Sequence, residues 1–302
     1  MKRILDVTAI NGKYFMFPVY VVPVLYGWRW DKLKELGWTD LPRTYSDIYK
    51  LAGQMYKPKK KYPIQLLAGK DWWFRWSDFI ALYYAASGGK SYIKDDKAAF
   101  DNEYGKDVVG FFKKLYDNNW TLNNTTRTQL FYKGQVIGLA VGPFELIDIK
   151  QMYPKVLKDI RLGPMLVPDN HKGPAYTFAD IKGMVIFKSS KYPKEAWKFA
   201  KWVFSQDKMS VLWMNETKMP ASRGDLLTNP VFKEYLSKNR FVKKFAEYVP
   251  YSMPAAPITK TIEVQMTMTD LLIDSIIYKV LGVDAALKKA SSKIDKELAD
   301  TY

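Results

Sequence analysis

The chain has no cysteine and a single histidine among its 302 residues. The first absence excludes disulfides, thiolate nucleophiles, zinc fingers and iron–sulfur clusters, while leaving the compartment open. The one histidine, His171, lies in the turn-like stretch PDNHKGP and reads as a solvated loop side chain. A histidine-based triad or multi-histidine metal site therefore has no material to form from. Long apolar runs are also missing. The most apolar segment, YFMFPVYVVPVLYGW at 14–28, carries two prolines and falls short of the roughly 20 residues a membrane helix needs. The opening MKRILDVTAINGKY contains no apolar run of signal-peptide length. Nor is there a GxSxG, a Walker A loop, a GxGxxG after a strand or an HExxH.

What the chain does have is aromatic surface and positive charge. Aromatics make up 16% of residues, with 10 Trp and 21 Tyr, side chains that join a large apolar face to a polar handle. Lys and Arg number 47 against 31 Asp and Glu, a net charge of +16. The lysines are spread along helical faces (FKKLY, KFAKW, LKKASSK), and only KPKKK at 57–61 forms a run. This distribution reads as a solvated surface more than a nucleic-acid stripe. Three N-x-T tripeptides, at Asn123, Asn124 and Asn215, hint at export.

Periodicity gives an α/β chain with more helix than strand. The segment from Tyr14 to Tyr26 is β-branched, aromatic and extended. WDKLKELG is a short helix ending at Gly37. Thr44 and Asp47 form a capping box opening TYSDIYKLAGQM. An aromatic helix runs from Trp73 to Ser87 and stops at Gly88-Gly89. KDVVGFFKKLYDNNW is an amphipathic helix. VIGLAV at 136–141 and GMVIF at 183–187 are expected as buried strands, with LGPMLVP an extended crossing between them. In YPKEAWKFAKWVFS, Ala196, Trp197, Ala200, Val203 and Phe204 are expected to face inward, with Pro193 near the first turn. NPVFKEYLSKNRFVKKFAEY reads as one amphipathic helix, followed by a long helix over roughly Thr259 to Leu281 and a closing one in DAALKKASSKIDKELA.

Two stretches could hold a ligand. DWWFRW at 71–76 places Trp72, Trp73 and Trp76 at a helix start. Sugars present apolar C–H faces within a rim of hydroxyls, so a sugar site needs aromatic faces and a few fixed polar groups. Trp72 and Trp76 share a helix face while Trp73 points elsewhere; Trp76 is the one expected in the core. The second stretch is Gly142-Pro143-Phe144. It delivers a helix N-terminus to the carboxyl edge of a sheet, where ligands collect in open α/β folds. Phe144 and Glu145 would face that cleft.

Several stretches, taken in order, resemble the extracellular solute-binding proteins of ABC importers, in the maltodextrin- and sugar-binding group. They are NGKYFMFPVY with LYGWRWDKLKELGW, LPRTYSDIYKLAGQM, WWFRWSDFIALYYAASGG, LFYKGQVIGLAVGPFELIDI, LGPMLVP, GMVIF with YPKEAWKFAKWVFS, KMPASRGD and DAALKKASSKIDKEL. They cover nearly the whole chain. Phe144 stands where the family usually has tryptophan. The resemblance implies a two-lobe periplasmic-binding-protein-like fold (type II) joined by hinge strands that closes on its ligand. It implies a carbohydrate ligand, delivery to an ABC permease, no chemistry on the ligand and no cofactor. It further implies a monomer outside the cytoplasm that meets the membrane only through its partner or an N-terminal anchor absent here, and that binds no nucleic acid. Measured against the family, most of the first lobe before the GK-Y stretch is missing, which implies an N-terminal truncation or a start within a longer frame. The expected division is 1–13 as a first-lobe remnant, 14–163 as the second lobe, 164–250 as the returning part of the first, and 251–302 as helices packing mainly on the second. Carried over by position, the ligand contacts are Tyr20, Trp72, Trp73, Phe144, Glu145, Asp180, Lys182 and Arg223. Lys182 replaces a ligand-facing aromatic of the family, and with Arg223 it implies an acidic or strongly hydrogen-bonding sugar. The alternative functions are a glycosidase-like enzyme, whose two carboxylates could lie far apart in sequence, and a basic nucleic-acid binder.

Overall fold

A computed structural model describes residues 5–6, 9–10, 12–58, 60–67, 71–123 and 128–300; the side chain of Trp72 and the sequon residue Asn124 lie outside the described residues. Two sheets organise the chain, apart from two two-stranded hairpins of two-residue strands. The first sheet has three strands, β1 (Phe17–Pro23), β6 (Thr177–Met184) and β7 (Ser252–Met253), with β6 in the middle. β6 runs antiparallel to β1 and parallel to β7. The second has four strands in the order β3 (Tyr62–Gln65), β4 (Val136–Val141), β2 (Leu25–Arg29), β5 (Ile160–Gly163).

The four-stranded sheet is covered on both faces, which is why VIGLAV is apolar without alternation. Tyr26 and Trp28 of β2 enter one core, while Leu25, on the opposite side of the strand, enters another. The larger core gathers five helices around the first of these faces: α2 (Tyr45–Met55), α3 (Trp72–Ser87), α4 (Glu103–Asp117), α10 (Thr261–Thr267) and α11 (Val283–Ala299). The short α1 (Trp30–Glu35) precedes them. The Thr44–Asp47 capping box is formed as expected, with both reciprocal hydrogen bonds. α3 is apolar on all sides in its second half and correspondingly buried. It ends at Gly88, whose φ of 66° is the left-handed conformation that glycine adopts without strain.

Among the described residues the other helices of eight or more residues are α5 (Glu145–Met152), α6 (Pro193–Ser205), α7 (Asp207–Thr217), α8 (Pro230–Lys238) and α9 (Arg240–Tyr248). A third core under the three-stranded sheet joins Val21 and Ala179 to Met214 of α7, Phe232 of α8 and Val242 of α9.

Three expectations fail. GMVIF is not a buried strand: β6 ends at Met184 and residues 184–187 are exposed. In α6 only Ala200 is buried, and Trp197 is 49% exposed. Phe17 of β1 meets the rings of Trp197 and Phe204, with centroids 6.0 and 5.4 Å apart, and Ala196, Val203 and Phe204 are half-buried, so the expected face is covered only in part. The stretch at 230–248 is two helices, not one. Asn239 leaves helical geometry at ψ 73° and its side-chain amide donates to the Tyr235 carbonyl at 2.8 Å, offering the backbone an alternative to continuation. The helix near 259–281 does form over Thr261–Ile277, but with a π-helical segment at Met268–Ile273.

Candidate functional site

A single residue, Val24, separates β1 in one sheet from β2 in the other. Its N–H donates to the Phe178 carbonyl at 3.0 Å, and its carbonyl accepts from the Thr177 hydroxyl at 2.5 Å. The crossing is thus stitched to β6. On the other side, Leu25 pairs with Val141, the last residue of β4. Gly142, Pro143 and Phe144 therefore leave the four-stranded sheet right beside the crossing.

Side chains alternate across a strand, so the register Asp180–Val22 and Lys182–Tyr20 sets these four on one face of the three-stranded sheet. Phe178 shares that face. Against it packs Trp76, only 4% exposed, with ring centroids 5.3 Å apart at 77°, a favourable edge-to-face arrangement. At the other end of α3, a Cβ on Gly89 would lie 2.7 Å from the Tyr176 ring. The helix thus lies along β6 from Tyr176 at its end to Phe178 at Trp76. Its first turn carries Trp72 and Trp73. Trp73 is 43% exposed and touches Phe74, with centroids 3.9 Å apart.

Asp180 and Lys182 form an ion pair of 2.5 Å on this face, both about half exposed. Each retains free valence for a polar ligand: the ammonium has three donors and the carboxylate two acceptor oxygens. Tyr20 tilts against Trp213 of α7 at 5.0 Å and 30°, and its backbone bridges to Ala221 in the PASRG turn. Trp213 was not found from sequence. Only its position, a few residues before that turn, could have pointed to it.

At the β4 exit, Phe144 is 48% exposed. Its ring lies over Gly142, where an added Cβ would come within 2.7 Å of it and push the ring aside. The Gly142 N–H donates to Glu145 Oε2 at 2.7 Å. The open helix N-terminus expected from sequence is therefore closed, in part, by the protein's own carboxylate. Burial pushes the Glu145 carboxyl from the ordinary 4.5 up to about 8, against the lowering effect of its backbone hydrogen bonds.

Arg223 is engaged elsewhere. Its guanidinium pairs with Asp225 and Asp207, each at 2.8 Å, donates to the Ser205 carbonyl at 3.2 Å and lies over Phe232. The structure thus brings together Tyr20, Asp180 and Lys182, with Trp73 approaching along α3 and Phe144 and Glu145 at the neighbouring sheet end. Arg223 holds the C-terminus of α6 to the turn before α8. Among the described residues no group of three or more His, Asp or Glu side chains could hold a metal ion.

Two sheets linked by the single-residue crossing at Val24, with aromatic and polar side chains near the link, fit the two-lobed α/β binding-protein class. Residues 2–209 match the family of bacterial extracellular solute-binding proteins, and the chain belongs to that family. Its location is accordingly extracytoplasmic. A relative in Brucella abortus (strain 2308) is 21% identical over 308 residues, spanning 98% of this chain and 70% of the relative. The structure of an uncharacterized protein from Listeria monocytogenes EGD-e is 28% identical with a TM-score of 0.86, covering 99% of this chain and 76% of that one. The sugar-binding protein MalE from Xanthomonas citri is 17% identical with a TM-score of 0.81, covering 99% of this chain and 74% of that one.

Proposed function

We propose that this protein binds a carbohydrate outside the cytoplasm and presents it, unaltered, to the membrane permease of an ABC importer. The observation that carries the proposal is the combination at the crossing. Asp180 and Lys182 form a half-exposed polar pair on a sheet face whose neighbouring residues Val22 and Trp76 are buried, and the two elements that join this sheet at the crossing, α3 and the exit of β4, carry the half-exposed rings of Trp73 and Phe144. A pyranose needs this pairing of apolar platform and directional hydrogen-bond partners. The sugar-binding Xanthomonas citri protein, which shares the fold, supports the same reading. In this reading Tyr20, Trp72, Trp73, Phe144, Asp180 and Lys182 touch ligand. Glu145 shapes the β4 exit and Arg223 fixes the turn behind Tyr20. The protein works as a monomer, and the two parts of the chain linked at Val24 close on the sugar. The division at residues 163–164 and 250–251 is part of the same proposal.

Isothermal titration with a panel of mono- and oligosaccharides tests this. The expected result is saturable binding of one sugar class at one site, with the sugar recovered intact by chromatography. Recovery of a hydrolysed product would contradict the transport reading.

A further inference from the structure

The Glu145 carboxyl lies against the ring proposed to carry the sugar. A Cβ built on Gly142 would come within 2.7 Å of the Phe144 ring and 3.3 Å of Glu145 Oε2, so ring and carboxyl converge on one glycine. The Gly142 N–H donates to that same oxygen at 2.7 Å. The Leu146 and Ile147 N–H groups turn back on the Pro143 and Phe144 carbonyls at 3.3 and 3.0 Å. The turn that aims Phe144 is therefore closed by the Glu145 side chain.

No cation answers this carboxyl. Among the described residues no lysine or arginine pairs with Glu145, and the nearby charge is that of Asp148, in the same first turn of α5. β4 and the Gly142–Phe144 turn carry no ionisable side chain. From the short helix Thr128–Tyr132 comes the Tyr132 phenol, which burial, Glu145 and Asp148 push up to about 12, so it stays neutral. Lys150, Lys218 and Glu216 line a hollow with Leu146 and Gln151 without pairing with Glu145. A partly buried carboxyl without a counter-charge is costly to ionise. A sugar stacked on Phe144 takes further water from it and raises that cost.

We propose that Glu145 is a positioning residue for the sugar: in its acid form the carboxyl holds the Gly142–Phe144 turn under the Phe144 ring, and the protein takes up a proton as it binds. This rests on the sugar reading of the crossing. In the free protein the carboxyl titrates near about 8, and bound sugar moves it higher. The affinity is therefore full below pH 7 and is lost as pH rises through 8. Once ionised, Glu145 is drawn towards water, and the turn loses the hydrogen bond that closes it.

Calorimetric titrations with each sugar of the panel, maltose, glucose, galactose and mannose included, test this between pH 6 and 9. Circular dichroism at each pH restricts the comparison to folded protein. The affinity is expected to be about five- to tenfold weaker at pH 9 than at pH 7. Titrations at pH 8 in buffers of different ionisation enthalpy should show uptake of about half a proton per sugar. Glu145→Gln should lose both the pH dependence and the proton uptake, whereas a merely structural role would leave them in place. Sugar binding that is flat from pH 7 to 9 without proton uptake overturns the proposal, and so does a dependence that Glu145→Gln retains. A protein that binds no sugar at any pH contradicts the sugar reading itself.

Discussion

Trp76 of α3 meets Phe178 of β6 edge to face, with ring centroids 5.3 Å apart. This contact fixes the helix that carries the tryptophan cluster to the strand that carries Asp180 and Lys182. It separates the roles of neighbouring tryptophans, since Trp76 is buried and Trp73 is 43% exposed.

Trp76→Ala should therefore act on stability and Trp73→Ala on binding. Removing the buried indole is expected to cost about 3–5 kcal/mol, as large-to-small core changes do. Trp73→Ala should leave the melting temperature nearly unchanged and weaken sugar affinity roughly 10–100-fold, the scale of an aromatic anchor. Thermal melts and titrations of the two variants check both parts.

Stability should fall as pH rises from about 4 to 8. Burial holds the Asp78 carboxyl up at about 7, despite its hydrogen bond from Leu67 N–H, and Glu145 up at about 8. The folded protein therefore retains protons that the unfolded chain has already released, so the proton-linked stability is full at the acid end and lost through pH 7–8. Asp225, lowered to about 2 by Arg223, has the opposite sign, and its contribution is lost only below about pH 4. Glu145→Gln and Asp78→Asn should each flatten the slope above pH 4 in melts recorded by circular dichroism.

Much of this was readable in the sequence, and the failures have one cause. Thr44 with Asp47, Gly88 and VIGLAV were legible because caps, a left-handed glycine and a strand covered on both faces leave local marks. GMVIF and Trp197 were misjudged because pattern marks which residues are apolar, not how far the fold covers each of them. At the site, exposed Trp73 and Phe144 could be named from composition at strand and helix ends. Trp213 against Tyr20 could not, because that contact depends on how the turn at 218–225 returns along β1. Arg223 looked like a free cation in sequence. Asp225, two residues on, was visible as a candidate partner, while Asp207 became its neighbour only through the fold.

Arg223→Ala should consequently behave as a structural change. Loss of the guanidinium takes the cation from two carboxylates, which keep only the Asn229 amide as side-chain donor, and a donor from the Ser205 carbonyl, at a cost of about 1–3 kcal/mol. Affinity for sugar should change less than in Trp73→Ala. A denaturant titration paired with a binding isotherm separates the two effects.

Salt offers a further discriminator. Stacking and neutral hydrogen bonds are insensitive to ionic strength, while phosphate contacts weaken steeply with salt. Affinity for the sugar should vary less than about twofold between 50 and 300 mM salt, in contrast to the fall of several orders of magnitude expected for a ligand held by many phosphate contacts.

The most direct measurement is the melting temperature of the protein with and without each member of a sugar panel. A sugar at about a hundred times its dissociation constant stabilises by roughly 2.7 kcal/mol, which for a chain of this size is a rise of several degrees. The expected result is such a rise with one class of sugar and its loss in Trp73→Ala. A panel that produces no rise, or a rise that Trp73→Ala leaves intact, would contradict a sugar site at the crossing.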